Sequence, residues 1–181
     1  MPLFLIGYMA SGKTTFGRAL SKKTGLPFID LDEYIEQTQG LTISEIFRKY
    51  NEEGFRNIEK EALNEVCFHQ KSIIACGGGT PCFFDNMEVM KEAGTTVYLK
   101  ASVPVLVKRL REENARRPIV AGKTYSEIEA IVKNQLAMRE SYYSLADITC
   151  NADKLDTAEE IETTINQFLT NNPFVFSTPF I

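Results

Sequence analysis

Residues 7 to 14 read Gly7-Tyr8-Met9-Ala10-Ser11-Gly12-Lys13-Thr14, a GxxxxGKT run placed directly after the apolar stretch Leu3-Phe4-Leu5-Ile6. Between a strand and a helix, this spacing makes a phosphate cradle, or P-loop. Glycines let backbone N–H groups over Met9, Ala10, Ser11, Gly12, Lys13, Thr14 and Thr15 turn toward phosphate oxygens. Lys13 reaches the β and γ phosphates, and the Thr14 hydroxyl can ligate Mg²⁺. The helix that follows adds its N-terminal dipole. The competing reading is a flexible Gly/Ser turn.

Three further groups carry chemistry. Phe28-Ile29-Asp30-Leu31-Asp32 places two carboxylates at the carboxyl end of a short strand, the edge where open α/β sheets bind ligands. Strand alternation sets Asp30 and Asp32 on one face, one for a metal and the other for a bound hydroxyl. The alternative is that either caps the helix beginning near Glu33. Gly77-Gly78-Gly79 ends another strand. It offers backbone N–H donors to an anion, or simply a tight turn. Arg56 and Arg139 lie on predicted helices; Arg56 has Glu59 at i+3 as an alternative partner, and Arg139 has the helix dipole.

The elements that position these residues follow from hydrophobic periodicity. Leu3 to Ile6, Phe28 to Leu31, Ser72 to Cys76, Thr95 to Leu99 and Asp147 to Cys150 read as five short strands. Amphipathic helices lie between them. The clearest runs from Glu53 to Phe68, with Phe55, Ile58, Ala62 and Val66 on one face. Strands alternating with helices predict a three-layer α/β/α fold around a five-stranded parallel sheet, of P-loop NTPase type. Arg109 to Lys123, polar and arginine-rich, reads as a loop that is either solvated surface or a lid closing over phosphates.

At 181 residues the chain fits one domain, residues 1 to 181, with an apolar tail over residues 171 to 181 that contains Phe174, Val175, Phe176 and Phe180. Such a tail packs back on the domain or against a second subunit; a monomer is expected, with the tail as the route to self-association. The net charge of −4 argues against nucleic acid or an anionic membrane as the main partner. The apolar start is too short for a signal peptide and no run is long enough to span a bilayer, so a cytoplasmic location is expected. Cys67, Cys76, Cys82 and Cys150 form no CxxC pair, and His69 is the single histidine. Reduced, packed thiols are expected, with a redox role for Cys76 and Cys82 as the alternative.

Taken together, these motifs resemble the shikimate kinase family, small P-loop kinases of nucleoside monophosphate kinase-like fold. The resemblance runs from Leu3 to about Asp153. It rests on GxxxxGKT at Gly7 to Thr14, the Asp30/Asp32 pair, FRxxE at Phe55 to Glu59, Gly77-Gly78-Gly79, Arg117-Pro118 in the lid, and RxxxY from Arg139 to Tyr143. It implies transfer of a phosphoryl group from ATP to the 3-hydroxyl of shikimate, in aromatic amino acid biosynthesis. By the same resemblance Arg56 and Arg139 hold the substrate carboxylate. Asp32 orients, or deprotonates, the attacking hydroxyl, while Gly78 and Gly79 donate N–H groups. Phe47 and Phe55 match apolar wall positions. Thr14 and, through water, Asp30 position Mg²⁺, and Lys13 and Arg117 offset phosphoryl charge.

Two positions depart from the family pattern. Where the family places an adenine-stacking arginine, seven residues before the lid arginine, this chain has Leu110, flanked by Arg109 and Arg111 as alternatives. The segment from Asn151 to Thr157 also matches poorly. Two rivals share parts of the pattern: another small-molecule kinase, such as a gluconate-type sugar acid kinase, and a GTPase-like switch. The chain has no NKxD base-reading motif, which disfavours the switch.

Overall fold

Each of the five apolar runs forms a strand, and the strands pair in parallel in the order β2-β3-β1-β4-β5. The coordinates are a computed structural model describing residues 1–112 and 120–175. In chain order the elements are β1 (Leu3–Ile6), α1 (Lys13–Thr24), β2 (Phe28–Asp30), α2 (Leu31–Gln39), α3 (Ile43–Cys67) and β3 (Ile73–Ala75). A short 3-10 turn (Thr80–Cys82) leads into α4 (Asn86–Ala93), β4 (Thr95–Lys100) and α5 (Val103–Glu112). After residues 113–119 come α6 (Tyr125–Tyr143), β5 (Ile148–Asn151), α7 (Ala158–Asn171) and a last 3-10 turn (Pro173–Val175).

The sheet explains the sequence pattern strand by strand. Central β1 is buried at all four positions, as a strand covered on both faces must be, with Leu5 in register beside Ala75 and Val97. The edge strands β2 and β5 are half-buried, and their sequences FID and ITCN are correspondingly more polar. Helix α1 packs on β1, β2 and β3 and beside α7, where the Phe16 and Phe168 rings meet edge to face at 5.3 Å. Helices α5 and α6 pair with each other, and α4 packs on β4 and α3.

Three expectations change on inspection. The strand at Phe28 stops at Asp30, and Leu31 already opens α2, so Asp30 and Asp32 are not alternate positions of one strand. The polar segment expected to be a loop from Arg109 is helical through Glu112. The cause is phase: Leu106 and Leu110 stand four apart on the buried face of α5, which holds the helix against the core. The helix read from Glu53 is the second half of α3, which breaks at Asn51 (φ 58°, ψ −169°). There the Asn51 side chain accepts from the Gly54 N–H at 3.1 Å and so caps the second segment.

In the tail, Val175 packs against the core while Phe174 is exposed; Phe176 and Phe180 lie outside the described residues. His69 closes the last turn of α3, its N–H bonding to the Val66 carbonyl.

Candidate active site

The carboxyl ends of β1, β2 and β3 face one edge of the sheet, and the described motif residues meet there. The loop after β1 takes left-handed conformations at Ala10 (φ 61°) and Gly12 (φ 93°). At Gly12 a side chain is excluded on two counts, because a Cβ would also lie 2.8 Å from Leu155 Cδ1. Helix α1 begins at the next residue with no side-chain cap and no acid in its first turn. Its first N–H groups and positive dipole end are therefore open to an anion. Lys13 Nζ arches over the loop, donating to the Gly7 and Tyr8 carbonyls at 2.9 Å each. Ser11 Oγ is buried within the loop with no hydrogen-bond partner among the described residues.

Met9, Ala10, Gly12, Lys13, Thr14 and Thr15 line a cavity of about 150 Å³ whose other wall is Asp30, Asp32 and Ala75 to Gly78. The carboxylate pair caps α2 through Asp30 and lines this cavity with both members. Asp30 is the N-cap of α2, accepting from the Asp32 N–H at 3.1 Å, and its other oxygen accepts from the Thr14 hydroxyl at 2.8 Å. Asp32 projects from the first turn of α2 into the same cavity. Burial, then the nearby Asp30 and Glu59 charges, push its carboxyl up to about 6, against the opposing pull of Lys13. A carboxylate poised there can accept a proton near neutral pH.

Each glycine of Gly77-Gly78-Gly79 abuts a charged side chain. A Cβ at Gly77 would stand 3.2 Å from Asp32 Oδ1, one at Gly78 3.7 Å from Arg139 Nη1, and one at Gly79 2.7 Å from Arg56 Nη2. The glycines therefore admit close approach of an acid and two guanidinium groups to the backbone. Arg56 is held by Glu59 at 2.8 Å and Glu52 at 3.3 Å, and its guanidinium lies 3.9 Å from the centre of the Phe83 ring. Glu59 is buried and also accepts from the Thr80 hydroxyl at 2.6 Å. Arg139 sits one residue before the last turn of α6, which carries no basic residue. Its guanidinium turns instead toward Gly78 and the Tyr8 ring, 5.6 Å away, so the dipole reading does not hold. Phe47 and Phe55 stack at 4.4 Å across the bend in α3, with Phe55 in the core and Phe47 exposed.

The other end of the P-loop opens on a second recess of about 230 Å³, lined by Ala10, Gly12, Thr15, Arg109, Glu112, Leu155 and Asp156. Of the two arginines beside Leu110, Arg109 faces this recess. It is fixed by Asp156 at 2.8 Å and by the Asp153 and Ala10 carbonyls. Arg111 instead lies 5.8 Å from the Tyr125 ring, and Leu110 is fully buried. Arg117 and Pro118 fall outside the described residues. A larger groove of about 440 Å³ beside β5 and α7 takes in none of the motif residues.

Sequence reasoning named Glu59 as an i+3 partner of Arg56, a pair the structure shows at 2.8 Å, and Tyr143 as the end of RxxxY, but it found no long-range partner for Glu59, Tyr143 or Asp156. Glu59 had a signal, since an acid falls on the apolar stripe of Phe55, Ala62 and Val66 and must be paired when buried. Tyr143 and Asp156 act across distances of 65 and 47 residues, to Gly78 and Arg109, which no local pattern marks. The thiols of Cys76 and Cys82 are both pushed up by burial, which holds them protonated and favours packing over redox chemistry.

Thr14 Oγ1 and the Asp30 carboxylate are hard oxygen donors side by side. They suit Mg²⁺, which takes one or two protein oxygens and completes its shell with water and phosphate. Among the described residues no group of three or more His, Cys, Asp or Glu side chains forms a metal cage.

Comparison with known proteins agrees with this arrangement. The shikimate kinase family model matches residues 9–170. Shikimate kinase of Parabacteroides distasonis is 45% identical over 167 residues, covering 92% of this chain and 96% of the relative. The crystal structure of shikimate kinase from Bacteroides thetaiotaomicron, 40% identical, superposes with a TM-score of 0.92 over 96% of this chain and 98% of that one. Shikimate kinase from Acinetobacter baumannii in complex with shikimate is 29% identical, with a TM-score of 0.82 over 96% and 93% of the two chains. The parallel sheet, the phosphate cradle and the charged ring around three glycines thus belong with a matched family model and close relatives, and this chain is a member of the shikimate kinase family.

Proposed function

We propose that the chain moves the γ-phosphoryl group of ATP onto the 3-hydroxyl of shikimate in a cleft with a nucleotide end and an acceptor end, working as a single-domain monomer. The observation that carries this reading is the set of three glycines, each against one of Asp32, Arg139 and Arg56. Shikimate is a small ring with one carboxylate and several hydroxyls. Two guanidinium groups match the carboxylate, each charge-assisted bond contributing about 1.5–3 kcal/mol. Gly78 and Gly79 donate N–H groups to the same ligand, and the Phe47/Phe55 stack borders it beside Arg56.

Asp32 stands between the acceptor and the phosphate cradle. It accepts the proton of the 3-hydroxyl as that oxygen bonds to the γ-phosphorus, and the bond from phosphorus to the bridging oxygen breaks, releasing ADP. With its carboxyl at about 6, Asp32 then returns the proton to water. On the nucleotide side, the backbone from Met9 to Thr15 holds phosphates. Lys13 and, by the family pattern, Arg117 offset the charge that spreads over the transferring group. Mg²⁺, when bound beside Thr14 and Asp30, shields the phosphate oxygens. Arg109, fixed by Asp156, borders the base in place of the displaced residue at 110.

An ADP-release assay on the purified chain with shikimate, quinate, gluconate and nucleoside monophosphates tests the reading. Quinate and gluconate keep the carboxylate, so the ring shape and hydroxyl placement against Asp32 and the glycine run must discriminate, and shikimate should exceed the others by about a hundredfold in kcat/KM. Turnover of another acceptor with none of shikimate would overturn it.

A further inference from the structure

The three carbonyls of the glycine run are held in two different ways. Gly77 O accepts from the Thr80 N–H at 3.1 Å and Gly79 O from the Cys82 N–H at 2.8 Å, both within the local turn. Gly78 O instead accepts from the hydroxyl of Tyr143, at the far end of α6, at 2.5 Å. Tyr143 is fully buried, its ring tilted against that of Tyr98 with centres 5.1 Å apart, and its hydroxyl also meets Arg139 one helical turn earlier. Burial pushes the phenol up, so it remains a proton donor over the working range of pH.

The peptide joining Gly78 to Gly79 needs such a hold. Its orientation depends on ψ of residue 78 and φ of residue 79, and with glycine on both sides no Cβ opposes its turning over. The bond is trans, so the Gly78 carbonyl and the Gly79 N–H point in opposite directions. Anchoring the carbonyl on α6 therefore aims the Gly79 N–H away from α6. Among the described residues, neither the Gly78 nor the Gly79 N–H is donated to another protein group.

We propose that Tyr143 is a positioning residue for the acceptor: its hydroxyl selects one orientation of the Gly78–Gly79 peptide and so presents the Gly79 N–H to the substrate. Helix α6 then supplies the acceptor end twice, with Arg139 as a direct contact and Tyr143 through the backbone. The inference rests on the acceptor reading above.

The test is Tyr143→Phe, which keeps the ring and its packing and removes the hydroxyl. The parent chain is first shown to turn over shikimate; its failure there would count against the proposed function rather than against Tyr143. In the variant, the shikimate Kd and KM should rise about tenfold, with the ATP Kd within about twofold of the parent. A shikimate Kd unchanged within about twofold, or a parallel loss of ATP affinity, would overturn the proposal. A second measurement needs no variant. In the parent, the Gly79 amide should show an NMR order parameter of about 0.85, like the flanking strand, and a value below about 0.6 would contradict the hold.

Discussion

The two ends of the cleft are built from different materials. At the nucleotide end the phosphate cradle is backbone: a loop in left-handed turns, an uncapped helix N-terminus and a lysine folded over two carbonyls, all within residues 7 to 15. At the acceptor end the surfaces are side chains from α2, α3 and α6 that converge on three glycines after β3, with Arg56 braced by Glu59 and the Gly78 carbonyl by Tyr143. Phosphate is common to every nucleotide and needs only oriented N–H groups. A ring with one carboxylate and several hydroxyls needs charges at set distances, and isolated buried charges need partners of their own. The difference predicts that substitutions at the two ends separate cleanly by substrate.

The largest effect is expected at Asp32, where the ends meet. Asp32→Asn should lower kcat by on the order of a thousandfold while ATP affinity, by calorimetry, stays within a few fold. Near-normal kcat would break the assignment of the proton to this carboxylate. Arg56→Ala comes next. Losing a guanidinium fork should raise the shikimate KM about a hundredfold and leave that of ATP unmoved. It also leaves Glu59 buried without its cation, a cost of about 3 kcal/mol and a Tm drop of about 6–12 °C. Adding Glu59→Gln, which still accepts from Thr80, should restore most of the Tm and none of the KM. Recovery of both would mean that Arg56 acts through the fold alone.

At the nucleotide end the mirror experiment is Arg109→Ala, expected to raise the ATP KM about tenfold with shikimate unaffected, as fits one displaced contact beside the base. Equal changes for both substrates would erase the distinction between the ends. The pH profile sharpens it further. Because Asp32 must be ionised to accept a proton, kcat/KM for shikimate should fall about tenfold per pH unit below about 6, and the Asp32→Asn residual activity should lose that limb.

The smallest effect runs opposite to activity. The Asp32 carboxyl is raised from an ordinary 3.8 to about 6, so between those values the folded chain keeps a proton that the unfolded chain has released. The stabilisation is complete below about 3.8 and is lost as pH rises through about 6. Above that pH, Asp32→Asn should therefore gain about 1 kcal/mol, read as a Tm increase of about 2–4 °C, since it removes a charge crowded by Asp30 and Glu59. A lower Tm would mean that the ionised carboxylate is stabilised by its surroundings.

How far each end was legible follows from the same contrast. GxxxxGKT is contiguous and its geometry is local, so strand, loop and helix could be read from residues 3 to 24 alone. The five strands were also visible, because a buried parallel strand is a short apolar run with turns at its ends. The acceptor end was legible as a set of motifs whose roles came from resemblance, since Arg56, Asp32, Gly78 and Arg139 are far apart in the chain. What escaped was bracing. The Tyr143 hydroxyl and the Asp156 carboxylate act across the fold, and periodicity reports which face of a helix is buried, not which atom it reaches. Leu110 was the converse case: its spacing from Leu106 marks it as core, which leaves Arg109 to face the recess.

The most direct test of the central claim is a crystal structure with ADP and shikimate bound. The account predicts the shikimate carboxylate within about 2.7–2.9 Å of both the Arg56 and Arg139 guanidinium groups, with the 3-hydroxyl on Asp32 and facing the nucleotide. A carboxylate directed at Lys13 and the P-loop, or a hydroxyl out of reach of Asp32, would contradict it.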